Sequence, residues 1–228
     1  MITREELANS FDFSILKPTT TEAEILAGCQ SARANRFKLL MVQPRHTALA
    51  VRELAGSGVL VGAVLGFPHG TDLTEVKAFS AAKLRALGAD ELDMVMDLGS
   101  FKAGDHAAVT ADIAAVVQAA AGAPVKVILE TCELSKDEIV TACRLVKAAG
   151  AQFVKTSTGF AAKGADAADI RLMRETVGPD YGVKASGGIR TLDQALAMLE
   201  AGANRIGVSA GEALLAEWDA RFGAKITK

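Results

Sequence analysis

The feature that most constrains the fold is an alternation of short apolar runs with longer amphipathic runs, which recurs eight times along the chain. Short apolar runs are typical of buried strands, and amphipathic runs of helices that pack on one face. Eight such units in 228 residues match the lower end of the size range of (β/α)8, or TIM, barrels. An open doubly wound sheet would show the same alternation, but no G-x-G-x-x-G follows the first strand. We therefore predict an α/β fold in which residues 1–228 form a single TIM-barrel domain.

The strand and helix boundaries follow from the same pattern. The predicted strands are 11–16, 37–42, 60–65, 92–97, 125–130, 153–157, 182–185 and 205–209. The predicted helices start near 22 and 44, cover about 74–87, 105–121, 166–177, 192–200 and 211–222, and include one capped by Ser135, with Glu138 completing a capping box. Gly88, Gly150 and Gly202 each follow a helix, so we predict left-handed C-terminal caps there.

Lys155 lies in the apolar part of a predicted strand, in the stretch Phe153-Val154-Lys155-Thr156-Ser157. Burial disfavours the ammonium form and lowers the pKa of the amine, which allows a lysine to attack a carbonyl as a free amine at neutral pH. The alternative is a lysine at the end of a strand whose ammonium group reaches solvent. The single residue does not decide between the two.

Alternation along the strands gives each strand an apolar face and a face that carries charged residues. The apolar faces suit packing against the helices, so the charged faces should point into the barrel. The charged residues on these faces are Asp93, Asp97, Lys126, Glu130, Lys155 and Lys184. Each could belong to a structural ion pair, for example Lys126 with Glu130. Barrel interiors are usually filled by branched aliphatic side chains, so a set of charges favours chemistry. Lys184 near Lys155 would also lower its pKa.

Glycines follow the last two strands, in Ser186-Gly187-Gly188 and in 207–211. Loops in these positions of a barrel commonly bind phosphate through backbone N–H groups and helix N-termini, although they could be tight turns only. We predict a phosphate site at Gly187, Gly188, Ser209 and Ala210, with Gly159 close by. Lys163 is the candidate cationic group, whereas Arg190 is placed inside the start of a helix and is not expected to contact the phosphate.

Several classes of function are disfavoured. The net charge is −2 with both signs spread along the chain, so we expect neither nucleic acid nor membrane as a partner. No apolar run is long enough for a signal peptide or a spanning helix, and Cys29, Cys132 and Cys143 lack C-x-x-C spacing, which favours a cytoplasmic protein with reduced thiols. The three histidines are not clustered, so we predict no metal and no other cofactor.

Six motifs of the chain resemble those of the deoxyribose-phosphate aldolases. They are Asp12-Phe13-Ser14-Ile15-Leu16-Lys17-Pro18, Gly66-Phe67-Pro68-His69-Gly70, Glu91-Leu92-Asp93-Met94-Val95, Val125-Lys126-Val127-Ile128-Leu129-Glu130-Thr131, Lys155-Thr156-Ser157-Thr158-Gly159 and Val183-Lys184-Ala185-Ser186-Gly187-Gly188-Ile189-Arg190. The resemblance runs from about residue 10 to residue 215. It implies a metal-independent class I aldolase that interconverts 2-deoxyribose 5-phosphate with acetaldehyde and glyceraldehyde 3-phosphate.

The resemblance also implies roles for individual residues. Lys155 falls on the lysine that forms the Schiff base and Lys184 on the second lysine that tunes it. Asp93 falls on the carboxylate that transfers protons with the help of Lys126 and a water. Substrate contacts are implied at Asp12, Ser14 and Thr156.

The chain also departs from this pattern. Phe13 and Ser14 replace a frequent His-Thr pair, Met41 a frequent cysteine, Asp97 a frequent asparagine and Ala210 a frequent serine. Two alternatives therefore stay open: a Schiff-base aldolase of different donor or acceptor specificity, and a non-catalytic barrel that binds sugar phosphates. A homo-oligomer is also left open.

Overall fold

The computed structural model describes residues 2–223, in which eight parallel strands follow one another around a closed barrel. The strands are β1 (Phe11–Ile15), β2 (Leu39–Val42), β3 (Leu60–Leu65), β4 (Glu91–Val95), β5 (Val125–Ile128), β6 (Phe153–Lys155), β7 (Gly182–Ser186) and β8 (Arg205–Val208). Strand β1 pairs in parallel with both β2 and β8, which closes the sheet. The predicted TIM barrel is confirmed; Met1 and residues 224–228 of the predicted domain lie outside the described residues.

Ten α-helices accompany the strands over residues 2–223. They are α1 (Arg4–Ser10), α2 (Glu22–Asn35), α3 (Thr47–Leu54), α4 (Thr74–Ala86), α5 (Leu98–Lys102), α6 (His106–Ala119), α7 (Lys136–Ala148), α8 (Ala167–Val177), α9 (Leu192–Glu200) and α10 (Gly211–Trp218). Helices α1 and α5 were not predicted, because seven and five residues are too short to show helical periodicity. Within residues 2–223, none of the helices combines the length and the apolar character needed to cross a membrane.

The predicted caps are confirmed. The Ser135 hydroxyl accepts the backbone N–H of Glu138, and the Glu138 carboxylate accepts the backbone N–H of Ser135. Gly88, Gly150 and Gly202 have φ angles of 95°, 85° and 108°, in the left-handed region that the cap requires. Each of these turns ends a helix abruptly and directs the chain into the next strand.

Several boundaries differ from the predicted ones. Strand β5 ends at Ile128 instead of residue 130, because Glu130 takes a left-handed φ of 52° and a 3₁₀ turn, Thr131–Glu133, follows. The helix predicted to begin at Pro44 starts with a 3₁₀ turn, Pro44–His46. After α10 the chain continues as a π-helical turn, Asp219–Gly223. Turn conformation sets these boundaries, and the hydrophobic pattern of the sequence does not show where such a turn begins.

Two different environments lie on the two sides of the sheet. The main apolar core fills the space between the strands and the helices, whereas the largest apolar cluster inside the barrel contains only Leu39, Met41 and Val64. Apart from apolar residues such as Val95 and Ile128, which share the inward faces of Asp93 and Lys126, much of the interior is charged. Asp93 is in register with Lys126, and Lys155 with Lys184, so these four side chains extend from neighbouring strands into the same space.

Candidate active site

The centre of the site is the Asp93 carboxylate, which three lysines contact. Its Oδ1 lies 2.8 Å from Lys126 Nζ. Its Oδ2 lies 2.8 Å from Lys155 Nζ and 2.8 Å from Lys184 Nζ. Strands β4 to β7 are consecutive around the barrel, and each contributes one of the four residues, which brings the four groups together. The prediction that these charges face the interior is confirmed for all four.

A second layer of charges lies on the N-terminal side of Asp93. Arg205 Nε donates to Asp12 Oδ1 at 2.7 Å, and its Nη2 donates to Glu91 Oε2 at 2.7 Å. Lys126 Nζ also lies 2.7 Å from Glu91 Oε2, and Lys184 Nζ lies 2.5 Å from Asp12 Oδ2. Asp12 is fully buried in this ion-pair network. Asp12 does not line the cavity and its carboxylate is surrounded by cations of the chain itself, so the structure gives no support to the substrate contact that the resemblance implied for it.

Sequence reasoning missed Glu91 and Arg205. Each is the first residue of its strand, where a charge is usually interpreted as facing solvent. Their positions along the strands indicate their orientation. Glu91 is two residues from Asp93 and therefore shares its inward face. Arg205 is in register with Lys184 and also faces inward. Their buried carboxylate and guanidinium groups complete the network.

The network contains three carboxylates, Asp12, Glu91 and Asp93, and four basic groups, Lys126, Lys155, Lys184 and Arg205. Its charges therefore balance when one basic group is neutral. A net charge in a buried, low-dielectric space is unfavourable, so this count favours the loss of one proton.

The pKa values indicate which group loses the proton. Burial lowers the pKa of Lys155 to about 8; Asp93 opposes this, and the Lys184 cation adds to it. Burial also disfavours charge on Lys126, but attraction to Asp93, Asp12 and Glu91 outweighs it and raises its pKa. Asp93 is buried too, yet the three lysines hold its pKa well below its usual range. Lys155 is thus the basic group that becomes a neutral amine near physiological pH.

A cavity of about 330 Å³ opens at the C-terminal ends of the strands. Its lining includes Lys155, together with Ser14, Ser186 and Gly207 from the ends of three other strands. Lys126, Lys184, Asp93 and Asp12 are not among the lining residues. Of the three lysines bound to Asp93, it is therefore Lys155 whose amine a molecule in the cavity can reach.

The glycine loops lie where they were predicted, around this cavity. Ser14, Gly159, Gly187, Gly188 and Ser209 all line it. Gly187 has a φ of 85°, and a Cβ at this position would lie only 3.0 Å from the Gly164 Cα. Both conditions favour glycine at this position, and turns of this kind commonly direct backbone N–H groups at anions.

Three predicted residues are placed elsewhere. Thr156 is fully buried, and its hydroxyl accepts the N–H of Ser186 at 3.0 Å and donates to the Ser186 carbonyl at 3.1 Å, so it joins β6 to β7 and does not line the cavity. Ala210 precedes α10 without lining the cavity. Lys163 is exposed and also outside the lining. None of these three residues lines the cavity, so the structure does not support the contacts that were predicted for the Thr156 and Lys163 side chains and for the Ala210 backbone.

Two cationic residues that were not predicted do line the cavity, Arg190 and Lys17. The expectation that Arg190 lies inside a helix is wrong, because α9 begins at Leu192 with Thr191 as its N-cap. The Thr191 and Gln194 side chains form a capping box, which agrees with the helix start predicted at residue 192 and leaves Arg190 before the helix. Arg190 therefore belongs to the loop that borders the cavity.

Asp97 and Glu130 do not join the network, which corrects the prediction that they face the barrel interior. Asp97 caps α5, where its carboxylate accepts the N–H of Ser100 at 3.1 Å. Glu130 accepts the backbone N–H of Thr158 at 3.3 Å, so the alternative of a Lys126–Glu130 ion pair is also wrong. No group of three or more His, Cys, Asp or Glu side chains within residues 2–223 is arranged to hold a metal ion.

A closed parallel barrel with titratable side chains beneath a polar cavity, at the C-terminal ends of its strands, defines a TIM-barrel enzyme. The model of the DeoC/LacD family aldolases matches residues 3–217. The chain belongs to this family and is therefore an aldolase.

Individual relatives agree with this assignment. The deoxyribose-phosphate aldolase of Thermococcus gammatolerans is 51% identical over 210 residues, which cover 90% of this chain and 93% of that protein. The deoxyribose-phosphate aldolase of Bacillus subtilis is 50% identical over 92% of this chain and 94% of that protein. Among solved structures, the tetrameric deoxyribose phosphate aldolase of Aeropyrum pernix superposes with a TM-score of 0.90 at 32% identity, covering 96% of this chain and 93% of that chain.

Proposed function

We propose that this protein is a deoxyribose-phosphate aldolase, which reversibly cleaves 2-deoxyribose 5-phosphate to acetaldehyde and glyceraldehyde 3-phosphate through a Schiff base on Lys155. One observation carries the proposal: Lys155, whose pKa is lowered to about 8, is the lysine of the buried network that lines the cavity. The relatives named above, each about half identical, support the choice of substrate.

The first step is the formation of the imine. The neutral Lys155 amine attacks C1 of the open-chain aldehyde, and the carbinolamine then loses its hydroxyl as water to give a protonated imine. Asp93 Oδ2, 2.8 Å from the Lys155 nitrogen, is the nearest carboxylate oxygen that can transfer protons in these steps. Lys184 and Lys126 hold this carboxylate in place from two other directions.

Cleavage follows from the imine. A base removes the proton of the C3 hydroxyl, the C2–C3 bond breaks, and its electron pair moves to the protonated imine, which becomes an enamine. Glyceraldehyde 3-phosphate is the aldehyde released in this step. The enamine then takes a proton at C2, and water hydrolyses the resulting imine to acetaldehyde and the free Lys155 amine.

The substrate phosphate fits the other end of the cavity. Gly187, Gly188 and Ser209 line the cavity, and so does Arg190. Backbone N–H groups and a guanidinium are the usual partners of phosphate oxygens. This combination replaces the earlier expectation of backbone groups helped by Lys163.

The test is retro-aldol turnover of 2-deoxyribose 5-phosphate by the unmodified protein and by two variants. We expect turnover that Lys155→Ala abolishes and that Lys83→Ala, a change at an exposed lysine of α4, leaves intact. Aldol reaction of other aldehydes, without cleavage of 2-deoxyribose 5-phosphate, would support an aldolase of different specificity. Binding of the sugar phosphate without turnover would support a non-catalytic barrel.

We also propose that copies of this chain associate in solution and that the reaction takes place in the cytoplasm. The Aeropyrum pernix relative is described as tetrameric. In this chain α4 and the residue before it leave Leu73 and Phe79 each 71% exposed and Val76 47% exposed, an apolar surface of the kind that subunit contacts cover. Cys29, Cys132 and Cys143 are free thiols, as in a reducing compartment. Analytical ultracentrifugation tests the association.

A further inference from the structure

A second cavity, of about 610 Å³, lies beside the catalytic one, and the proposed reaction does not use it. Phe67, Pro18 and Pro68 contribute apolar walls, and Arg45 and His69 contribute polar groups. A concave surface of this size with a few polar groups is the usual form of a small-molecule site.

Phe160 lines both cavities. It follows Gly159 in the loop after β6, and half of its surface, 50%, is exposed. Its ring packs edge-on against Phe67, with the centroids 5.4 Å apart and the planes at 89°. The ring therefore forms a wall between the two spaces, and truncation of its side chain would join them.

The backbone beneath this ring is held independently of the ring. The N–H of Phe160 donates to Thr158 Oγ1 at 3.1 Å, and this hydroxyl donates to Glu130 Oε2 at 2.5 Å. Glu130 also accepts the backbone N–H of Thr158. Because these contacts use backbone and hydroxyl groups, the loop keeps its anchor when the Phe160 side chain is shortened.

We propose that Phe160 is a specificity-determining residue, whose ring limits the length of the acceptor aldehyde, and that the second cavity receives the tail of a longer acceptor once the ring is removed. The proposal rests on the aldolase function proposed above. The tail that fits best is flat and apolar, such as an aryl group, because Phe67 and the prolines line the second cavity. Glyceraldehyde 3-phosphate, in contrast, fits within the first cavity and gains nothing from the second.

The experiment measures kcat/KM in the synthetic direction, with acetaldehyde as donor and either 3-phenylpropanal or glyceraldehyde 3-phosphate as acceptor. For Phe160→Ala we expect the ratio of the aryl acceptor to the phosphorylated one to rise about tenfold or more, a typical effect of a pocket wall on substrate choice. Leu26→Ala is the control, because Leu26 is exposed on α2 and lines neither cavity. Phe160→Leu, which shortens the wall less, should give an intermediate ratio.

Two results would overturn the inference: an unchanged ratio in folded Phe160→Ala and Phe160→Leu proteins, or an equal rise in Leu26→Ala. Retro-aldol turnover of 2-deoxyribose 5-phosphate by the unmodified protein is measured alongside. If this turnover is absent, the proposed function itself fails. If it is present and the ratio does not move, only the role of Phe160 is rejected.

Discussion

Lys155 and Lys184 are paired in register on neighbouring strands, and their Nζ atoms lie at the same distance, 2.8 Å, from a single oxygen, Oδ2 of Asp93. A shared acceptor keeps the two nitrogens close together, so the charge of one affects the pKa of the other. Lys184 also contacts the Asp12 carboxylate, whereas Lys155 lines the cavity. The two lysines therefore have different surroundings although they hold the same oxygen.

Lys155 is expected to carry the covalent intermediate. Borohydride reduction in the presence of acetaldehyde should attach an ethyl group to Lys155, and peptide mass spectrometry locates the label. Lys184 is fully buried and does not line the cavity, so it should remain unlabelled. Labelling of Lys184, or of neither residue, would contradict the proposed chemistry.

Replacement of the neighbours of Lys155 should move the pH dependence of imine formation in opposite directions. The reactive free amine increases as the pH rises through the Lys155 pKa of about 8. Lys184→Met removes a cation that lowers this pKa, so the midpoint should shift to higher pH. Asp93→Asn removes a carboxylate that raises it, so the midpoint should shift to lower pH.

The measurement is the rate of trapping by borohydride as a function of pH. Turnover of Asp93→Asn should also fall about 10²- to 10⁴-fold, as expected for loss of a proton-transfer group. If both midpoints move the same way, the electrostatic account of Lys155 is wrong.

Arg190 should matter more than Lys163 for phosphate recognition. Arg190 lines the cavity and Lys163 does not, and a hydrogen bond to a charged group contributes about 1.5–3 kcal/mol, or roughly 10- to 100-fold in binding. Arg190→Ala should reduce the preference for 2-deoxyribose 5-phosphate over 2-deoxyribose by that factor, and Lys163→Ala should change it little. The ratio of the two kcat/KM values is the measured quantity.

Gly188→Val tests the backbone part of the same site. Gly188 has a φ of 75°, and a Cβ there meets no atom within 4 Å, so the valine side chain would strain the turn and occupy open space next to the cavity. We expect loss of phosphate preference. A full preference in this variant would place the phosphate elsewhere.

Loss of a charge from the buried network should lower the free energy of unfolding more than loss of a charge from a surface ion pair. Asp12→Ala removes the carboxylate that pairs with Lys184 and Arg205, which are at most 8% exposed, so we expect the free energy of unfolding to fall by about 3–5 kcal/mol. Arg52→Ala, in an ion pair whose arginine side chain is 68% exposed, should cost at most about 1 kcal/mol. Urea denaturation of both variants compares the two; equal losses would argue against a structural role for the network.

The barrel, its caps and the inward-facing lysines were predictable from sequence because each depends on a local pattern. Hydrophobic alternation indicated the strands, and a period of two placed Lys126, Lys155 and Lys184 on one face. The resemblance to known aldolases then indicated roles for them. The short helices α1 and α5 gave no such pattern.

The errors arose where a residue's partner comes from a distant part of the chain. Asp12 is 193 residues away from Arg205, and the local sequence does not show that their strands are neighbours in the closed barrel. Glu130 was placed by alternation, but its left-handed backbone ends the strand and directs the carboxylate to Thr158. The wall formed by Phe160 depends on where two cavities meet, which only the folded structure can show.

The layer formed by Glu91, Lys126 and Arg205 fills the barrel on the N-terminal side of Lys155, and all three residues are at most 8% exposed. Molecules therefore cannot pass through the barrel, and both cleavage products must leave by the entrance that admitted the substrate. In the proposed reaction the two-carbon fragment stays bound to Lys155 and lies deeper than its co-product. The proposal therefore predicts an order of departure: the phosphorylated aldehyde leaves first, and acetaldehyde follows only after hydrolysis has freed it.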